Sequence, residues 1–420
     1  MDRIYSKNNT YLVNNLIYQN YHKHSIYTNV IMIDSCAYPE DYAKRAVELN
    51  HGIISSVEHG YQGRYIESYE LAKQYNLKFL FGVEAYFVFD RTEKDNTNAH
   101  MCLLAKNENG RKAINRILSE ASLTGFYYRP RIDYELLMSL PSNDVWITSA
   151  CLGGINKYTK ENEKSEKLIN VWKEKSYIYS SPYEMLVDEI HKKFKDNFYL
   201  EVQAHNTDAQ RQLNSEIIKL SKKYNIEIIA GVDSHYIYED DAWKREYLQK
   251  SSGIFLDDEQ GWYMDYPDGK VLFERFKKQG ILQDDEILIA MDNTNTFLNV
   301  EEYTSPIFNH EMKMPSAPKY KNMSQEEKQM ALMKIVKERW DEVKKEIPEE
   351  EHAHYMREIA KELDIIFKIN HADYFLLNYE IIKESVENRG GMITFSGRGC
   401  VKEGALIPTE QTLKKIEDVT

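Results

Sequence analysis

Short β-type runs alternate with amphipathic helical stretches from Tyr21 onward, and this alternation constrains the fold more than any other feature of the sequence. Chains with this pattern build a mainly parallel sheet that is covered by helices. The clearest predicted helix and strand pairs are 39–49 with 53–57, 65–75 with 79–84, and 209–224 with 226–233. In α/β barrels the polar side chains at the carboxyl ends of the strands carry out the chemistry. Here those ends carry histidines and carboxylates, so we expect the functional site there.

Size and charge narrow the class of protein. The 420 residues allow two or three domains of roughly 100–200 residues each. The net charge of -13 disfavours wrapping of DNA, so any contact with nucleic acid needs a local patch. Four cysteines at 36, 102, 151 and 400 have no zinc-finger spacing and indicate a reducing compartment. No apolar run is long enough to span a membrane, and the N-terminus lacks the apolar core of a signal peptide. We therefore expect a soluble cytoplasmic protein with no membrane partner.

The character of the chain changes after about residue 305. The stretch 306–320 contains several prolines. The sequence Ser324-Gln325-Glu326-Glu327 predicts a capping box at the start of a charged helix that runs to about Ile347. We therefore expect an N-terminal extension over 1–19, an α/β domain over 20–305, a mainly helical domain over 306–399 and a short β-type piece over 400–420.

Side chains that bind divalent metals recur through the α/β region. His22 and His24 form an alternate-residue pair, and in a strand this spacing places both rings on one face. Asp233 and His235 form a second such pair. Several other donors end predicted strands, where an unpaired carboxylate or imidazole is costly unless a metal or a hydrogen bond compensates. Each residue alone is more often structural, but the joint pattern predicts a metal cluster. The candidate donors are His22, His24, Asp34, His59, Glu84, His100, Cys151, Asp233 and His235.

These residues lie in motifs that resemble those of the PHP domain. The resemblance is closest to the PHP domain of the alpha subunit of bacterial replicative DNA polymerase III, a C-family polymerase, and covers roughly residues 20–305. The motifs are HKHS at 22–25, VEHG at 57–60, GVEAY at 82–86, HMCLLAKN at 100–107, GFYYRPRID at 125–133, SACL at 149–152 and VDSHY at 232–236. The resemblance implies a distorted (β/α)7 barrel that holds two to three divalent metals, which are zinc, manganese or iron.

Carried over position by position, the ligands of that family's metal site fall on all nine candidate donors. Two positions depart from the family pattern. Glu58 stands where the family usually has Asp before the histidine, and Asp34 lies a few residues later than in most members. Cys36 and Cys102 fit no ligand position, so we expect them to be ordinary buried thiols.

The chemistry that the resemblance implies is phosphoester hydrolysis, with Asp233 and His59 as catalytic residues. In a polymerase this activity would serve as a 3′–5′ proofreading exonuclease. Two alternatives stay open. The chain could be a stand-alone phosphoesterase for small esters such as a sugar phosphate or histidinol phosphate, or a non-catalytic scaffold in which the metal only braces the fold.

Farther along the chain, ADYFLL at 372–377 and Ser396-Gly397-Arg398-Gly399 resemble the opening of the same family's palm domain. In a loop of this kind, backbone N–H groups approach a nucleotide triphosphate and the arginine neutralises it, so Gly397, Arg398 and Gly399 are the predicted phosphate loop. The family's magnesium-binding palm carboxylates lie beyond this loop. Synthesis on a DNA primer-template with dNTPs would therefore need a second chain that carries them.

The resemblance to the palm stops at Cys400, and the residues 400–420 resemble the first motif of an intein. In that family the thiolate of the first residue attacks the preceding carbonyl, which here would be Cys400 acting on Gly399. We expect a split intein that splices in trans with a partner chain carrying the rest of the intein and of the polymerase. The alternatives are a divergent C-terminal tail and a truncated gene in which the cysteine occurs by chance. Usage rich in Asn, Lys, Ile and Tyr is typical of an AT-rich genome, as in many phages.

Overall fold

The computed structural model describes residues 16–159, 165–254, 261–305, 308, 314–391, 406–408 and 413–415. The chain divides into two compact units, Met1–Asn309 and His310–Thr420. The predicted domain limits at 19/20, 305/306 and 399/400 stay predictions.

The first unit contains a curled eight-stranded sheet. Its strands are β1 (Ile53–Ser56), β2 (Lys78–Phe87), β3 (Ala99–Ala105), β4 (Phe126–Tyr127), β5 (Arg129–Ile132), β6 (Val145–Thr148), β7 (Phe198–Gln203) and β8 (Ile228–Gly231). The strand order is β4-β5-β2-β3-β6-β7-β8, and β1 pairs with the first half of β2. Apart from the short β4, the strands are buried along nearly their whole length, which explains why they read as continuous apolar runs.

The sheet is not built from parallel units alone. β1 with β2, β2 with β5, β6 with β7 and β7 with β8 are parallel pairs, whereas β3 is antiparallel to both β2 and β6. The chain passes from β2 to β3 through residues 88–98 without a crossover helix, and only antiparallel neighbours can be joined in that way. The sheet therefore departs from a regular repeat of parallel β/α units at β3.

The helices of the first unit begin and end where side chains satisfy the backbone. Pro39 occupies the first turn of the first helix, the Asn107 side chain accepts a hydrogen bond from the Gly110 amide, and Asn225 ends a long helix in the left-handed conformation. These helices are α1 (Pro39–Glu48), α2 (Tyr65–Gln74), α3 (Glu108–Leu123), α4 (Tyr134–Met138), α5 (Glu166–Glu174), α6 (Pro182–Phe194), α7 (Asp208–Tyr224), α8 (Ala242–Ser251), α9 (Gly269–Gln279) and α10 (Asp284–Asn293).

The segment around His22 lies beside the end of β8. The His24 amide donates to the Ser234 carbonyl at 2.8 Å, and the Ser234 amide donates to the His22 carbonyl at 3.3 Å. The Tyr42 hydroxyl, on α1, donates to the carbonyls of both His24 and Ser234 at 2.9 and 2.8 Å. These contacts fix the two alternate-residue pairs of the sequence side by side.

The second unit is helical. It contains α11 (Gln325–Val343), α12 (Glu349–Lys368) and α13 (Ala372–Lys383), followed by a π-helical turn at Glu384–Asn388. The predicted capping box is confirmed, since Ser324 and Glu327 bond reciprocally to each other's backbone amides. Lys328 and Asp373 form a buried ion pair at 2.9 Å that ties α11 to α13. The predicted α/β fold followed by a mainly helical region is confirmed.

Some residues to which the sequence analysis assigns a role lie outside the described part of the chain. These are Gly397, Arg398, Gly399 and Cys400, together with most of the segments 1–19 and 400–420. Within the last segment the backbone forms β9 (Leu406–Pro408) and β10 (Leu413–Lys415), which pair in the antiparallel sense. Among the helices that the structure describes, none is long and apolar enough to cross a lipid bilayer.

Candidate metal centre

Glu84 lies at the centre of a cluster of histidines and carboxylates. It is fully buried on β2, and its Oε1 lies 3.3 Å from His22 Nε2 and 2.9 Å from His100 Nδ1. Its Oε2 lies 2.6 Å from His59 Nδ1 and 3.3 Å from His24 Nε2. One carboxylate therefore faces four imidazole rings.

Asp233 is the second carboxylate of the cluster. It follows β8 in the left-handed region, with φ at 51°, and this turn directs its side chain back over the end of the strand. Its Oδ1 lies 3.1 Å from His24 Nε2 and 3.3 Å from both His22 Nε2 and His235 Nε2. The alternate-residue pairs His22/His24 and Asp233/His235 thus converge on one point.

Asp34 joins the cluster from the other side. Its Oδ2 lies 3.6 Å from His59 Nε2 and 3.5 Å from His235 Nδ1. Its Oδ1 accepts hydrogen bonds from the Arg245 guanidinium and, at 3.1 Å, from Gln249 Nε2. One oxygen is therefore fixed by α8 while the other faces the histidines.

Cys151 completes the set. It follows β6, and its Sγ lies 3.4 Å from His100 Nδ1 and 3.7 Å from Glu84 Oε1. The Gly153 amide donates to the same sulfur at 3.3 Å. The structure thus brings all nine predicted donors into one connected cluster, although they come from positions spread between residues 22 and 235.

The cluster keeps its carboxylates ionised. Burial alone would raise the pKa of Glu84, but the His100 and His59 rings hold the pKa of Glu84 well below its usual range. Burial likewise opposes ionisation of Asp233, whereas His22 and His235 lower the pKa of Asp233 well below normal. Burial lowers the pKa of His100 and of His235, which favours neutral rings. Ionised carboxylates with neutral imidazoles are the forms that bind divalent metals.

His22 and His59 behave differently from His100 and His235. Burial opposes the charged form of His22, but Asp233 and Glu201 raise the pKa of His22 well above its usual value. His59 shows the same behaviour. Burial opposes its charged form, but Glu84 and Asp34 raise the pKa of His59 to about 10. Without a metal this ring is an imidazolium that offsets part of the negative charge. A bound cation would take over that role, so metal binding should release the His59 proton.

The donor atoms themselves fit a metal. His22 Nε2, both ring nitrogens of His24 and of His59, Glu84 Oε2, Asp233 Oδ1 and His235 Nδ1 are buried and lack a hydrogen-bond partner in the described structure. Several of these atoms lie close to one another without the alignment of a hydrogen bond. Buried polar atoms left in this state are costly unless a cation binds them. Among the predicted donors, ligand atoms lie within 4.8 Å of one another in three groups: His22/His24/Glu84, His24/Asp233/His235 and His59/Glu84/His100. A fourth such group joins His22 to Cys102 and Glu201.

Glu201 contacts the cluster and was not predicted from the sequence. It is fully buried on β7, and its Oε1 lies 2.7 Å from His22 Nδ1. Its Oε2 accepts hydrogen bonds from the Tyr21 and Thr148 hydroxyls, both at 2.7 Å. A carboxylate on Nδ1 orients the ring and leaves Nε2 for a metal. Gly231 leaves room for this carboxylate, since a Cβ there would lie 1.9 Å from Glu201 Oε1.

Three residues that the sequence analysis placed outside the ligand set, Glu58, Cys102 and Cys36, differ in their surroundings. Glu58 accepts hydrogen bonds from the Ser25 hydroxyl at 2.5 Å and the Ser25 amide at 3.1 Å, so it holds the segment of His22 and His24. Cys102 is buried as predicted, but it lies within the ligand-atom group of His22 and Glu201. Cys36 is only partly buried.

Comparison with known proteins agrees with the two-part organisation of the chain. Residues 20–205 match the PHP domain, and residues 332–412 match the bacterial DNA polymerase III alpha NTPase domain. DNA polymerase III subunit alpha of Campylobacter jejuni is 27% identical over 412 residues, which cover 91% of this chain and 32% of that protein. The same subunit of Aquifex aeolicus is 28% identical over 394 residues, covering 86% of this chain and 31% of that protein.

Among solved structures, a Bifidobacterium adolescentis protein assigned as a metal-dependent phosphoesterase overlaps 61% of this chain and 96% of its own, at 12% identity and a TM-score of 0.33. That overlap is too weak to bear on function. The chain spans about a third of the length of the curated relatives it matches. Residues 20–205 are thus similar to the PHP domain, residues 332–412 are similar to part of the bacterial DNA polymerase III alpha NTPase domain, and the chain is similar to DNA polymerase III alpha subunits over about nine-tenths of its length.

Proposed function

We propose that the cluster around Glu84 and Asp233 is a metal-dependent phosphodiesterase site that shortens DNA from its 3′ end, within the N-terminal part of a replicative polymerase. The observation that carries this proposal is the convergence of the nine predicted donors, with the ligand atoms of most of them buried and unpaired. A cluster that only braced the fold would need fewer donors than these.

The side chains of such a site have different roles. We infer that the nine donors hold two to three divalent metals of the zinc, manganese or iron type, which supply a water of lowered pKa and neutralise charge on the phosphate. Glu84 and Asp233 each face several rings and set the spacing of the site. Glu201 fixes the His22 ring, and Arg245 fixes Asp34. His59, once free of its proton, is one of these nine donors.

Polymerase activity would require more than this chain. The relatives are about three times as long, and the proposed phosphate loop Gly397-Arg398-Gly399 would act with magnesium-binding carboxylates supplied by a partner chain. The partner, a DNA primer-template and dNTPs would together complete the active enzyme.

Trimming of a 5′-labelled DNA primer in the presence of manganese tests the hydrolytic proposal. The purified chain should shorten the primer stepwise, and Asp233→Asn should not, because the amide removes the negative charge shared by three histidines. Hydrolysis of sugar phosphates without trimming would favour the small-ester alternative. Bound metal with neither activity would leave the metal-braced scaffold as the explanation.

A second proposal concerns Cys400, which we propose to be the nucleophile of an intein. Support comes from the residues after it, because the antiparallel pair of β9 and β10 fits the short β-run of a first intein motif. In the reaction the Cys400 sulfur bonds to the Gly399 carbonyl carbon, the Gly399–Cys400 C–N bond breaks, and the thiol proton passes to the nitrogen, which becomes the free α-amine of Cys400. The match to the polymerase NTPase model reaches residue 412, so a divergent polymerase sequence is the competing explanation.

Thiol-induced cleavage distinguishes the two. An excess of a small thiol at mildly alkaline pH should release a fragment ending at Gly399 as a thioester, detected by intact mass, and Cys400→Ala should abolish it. The absence of that fragment from the wild-type chain would contradict the intein.

A further inference from the structure

The hairpin of β4 and β5 presents an unusual aromatic tip. Tyr128 lies between the two strands with φ at 60°, a left-handed conformation that is uncommon for an aromatic residue. Its side chain is 72% exposed, and its ring lies 4.7 Å from that of Tyr127. The strained turn therefore holds an aromatic side chain out in solvent.

This hairpin lies at the edge of the metal centre. The Arg129 guanidinium lies 5.9 Å from the ring centroid of Tyr86. The Tyr86 ring in turn lies 5.4 Å from the His100 ring and 6.2 Å from the His59 ring, to which it is stacked. A single aromatic side chain thus separates Arg129 from the proposed metal ligands.

Two polar groups at this edge have hydrogen-bond donors that are available to an anion. The Tyr86 hydroxyl is buried and lacks a hydrogen-bond partner in the described structure. Arg129 donates to the Ile31 carbonyl at 2.6 Å, and no carboxylate among the described residues pairs with its guanidinium. An arginine with unused N–H groups and a free hydroxyl are suitable donors to phosphate oxygens.

We propose that Tyr86, Arg129 and Tyr128 form a binding edge for single-stranded DNA. Arg129 and Tyr86 bind backbone phosphate beside the metal centre, and a base stacks on Tyr128. The proposal rests on the proposed function, because the metal centre would act on the linkage held there. Stacking on an exposed ring tolerates any base, as a site that trims ends of arbitrary sequence requires.

The edge also explains how a chain with a net charge of -13 could bind DNA. Its overall field repels phosphates, so binding depends on local cations and on stacking rather than on a broad basic surface. A small phosphate ester would not reach Tyr128, whereas a polynucleotide would contact all three side chains. The edge therefore selects polynucleotide ends over small esters.

The test measures binding apart from hydrolysis. Fluorescence anisotropy of a 5′-labelled oligothymidylate with phosphorothioate linkages at its 3′ end reports affinity while cleavage is slow. Tyr128→Ala should weaken binding by roughly five- to a hundredfold, the loss of one stacked base. Arg129→Gln should weaken binding and reduce the slope of log affinity against log salt by about 0.7, the value for one single-strand phosphate.

Tyr177→Ala is the matched control, since Tyr177 is 84% exposed between α5 and α6. It should bind the oligonucleotide as the wild type does. Equal affinity of Tyr128→Ala and Tyr177→Ala would overturn the binding edge even if the primer were trimmed. Conversely, Tyr128-dependent binding by a chain that hydrolyses neither DNA nor bis(p-nitrophenyl) phosphate would retain the edge and refute the proposed hydrolase. The two proposals can therefore fail separately.

Discussion

Glu84→Gln is expected to empty the metal centre and to lower phosphodiester hydrolysis by roughly a thousandfold, equivalent to about 4 kcal/mol of transition-state stabilisation. Glu84 is the only one of the nine donors whose two oxygens contact four histidine rings in the described structure. An amide keeps the shape of the side chain but removes its charge. The measurements are metal content after gel filtration and the rate on bis(p-nitrophenyl) phosphate.

The control for this change is Glu246→Gln. Glu246 lies on α8 in an exposed pair with Lys250, so the same loss of charge should alter neither metal content nor rate. A chelator should lower the melting temperature of the wild type, because a metal that binds only the folded state stabilises it. The chelator should lower the melting temperature of Glu84→Gln much less. Full metal content in Glu84→Gln would refute the central place of this carboxylate.

Some of the metal ligands could be predicted because the spacing of two residues in an extended segment determines whether their side chains lie on the same face. In extended chain, residues two apart share a face, so His22 and His24 could be paired from the sequence. Asp233 and His235 have the same spacing, but Asp233 lies in the left-handed region, so a turn rather than an extended strand brings this pair together. Family motifs then added single residues such as Glu84 and Cys151. The structure brings these side chains together, which neither spacing nor composition could show.

Glu201 was not predictable by the same reasoning. It lies in the middle of β7, which is buried along its whole length, and its partners Tyr21 and His22 are about 180 residues away in the sequence. The one available signal was a charged residue within an otherwise apolar strand, where burial demands a partner. The direction of β3 was likewise hidden, since a buried run reads the same in parallel and antiparallel pairing.

Helix α12 is a case in which the sequence predicts a helix but not how the helix packs. Its pattern is amphipathic, and Leu363, Ile366 and Phe367 pack half-buried against the core of the second unit. None of its residues is fully buried, however, and Ile365 and Tyr355 are exposed. Periodicity predicts that one face is apolar but not what covers it. The helix was therefore predictable, and its packing was not.

Arg275→Met is expected to destabilise the first unit by about 3–5 kcal/mol, the usual cost of leaving a buried charge without its partner. Arg275, on α9, binds Asp265 through two nearly parallel hydrogen bonds, Nη1 to Oδ1 at 2.6 Å and Nη2 to Oδ2 at 3.0 Å. Both side chains are less than a tenth exposed. Burial opposes the charge on Arg275, but Asp265 raises the pKa of Arg275, so the guanidinium stays charged.

Urea unfolding followed by tryptophan fluorescence measures this loss, because four of the five tryptophans (Trp146, Trp172, Trp243 and Trp262) lie in the first unit. Lys44→Met is the matched control. It breaks an exposed pair with Glu40 on α1 and should leave the urea midpoint nearly unchanged. Adding Asp265→Asn to Arg275→Met should recover part of the stability, since the orphaned charge is then removed. If the double variant were no more stable than Arg275→Met, the cost would come from lost packing of the arginine rather than from the unpaired carboxylate.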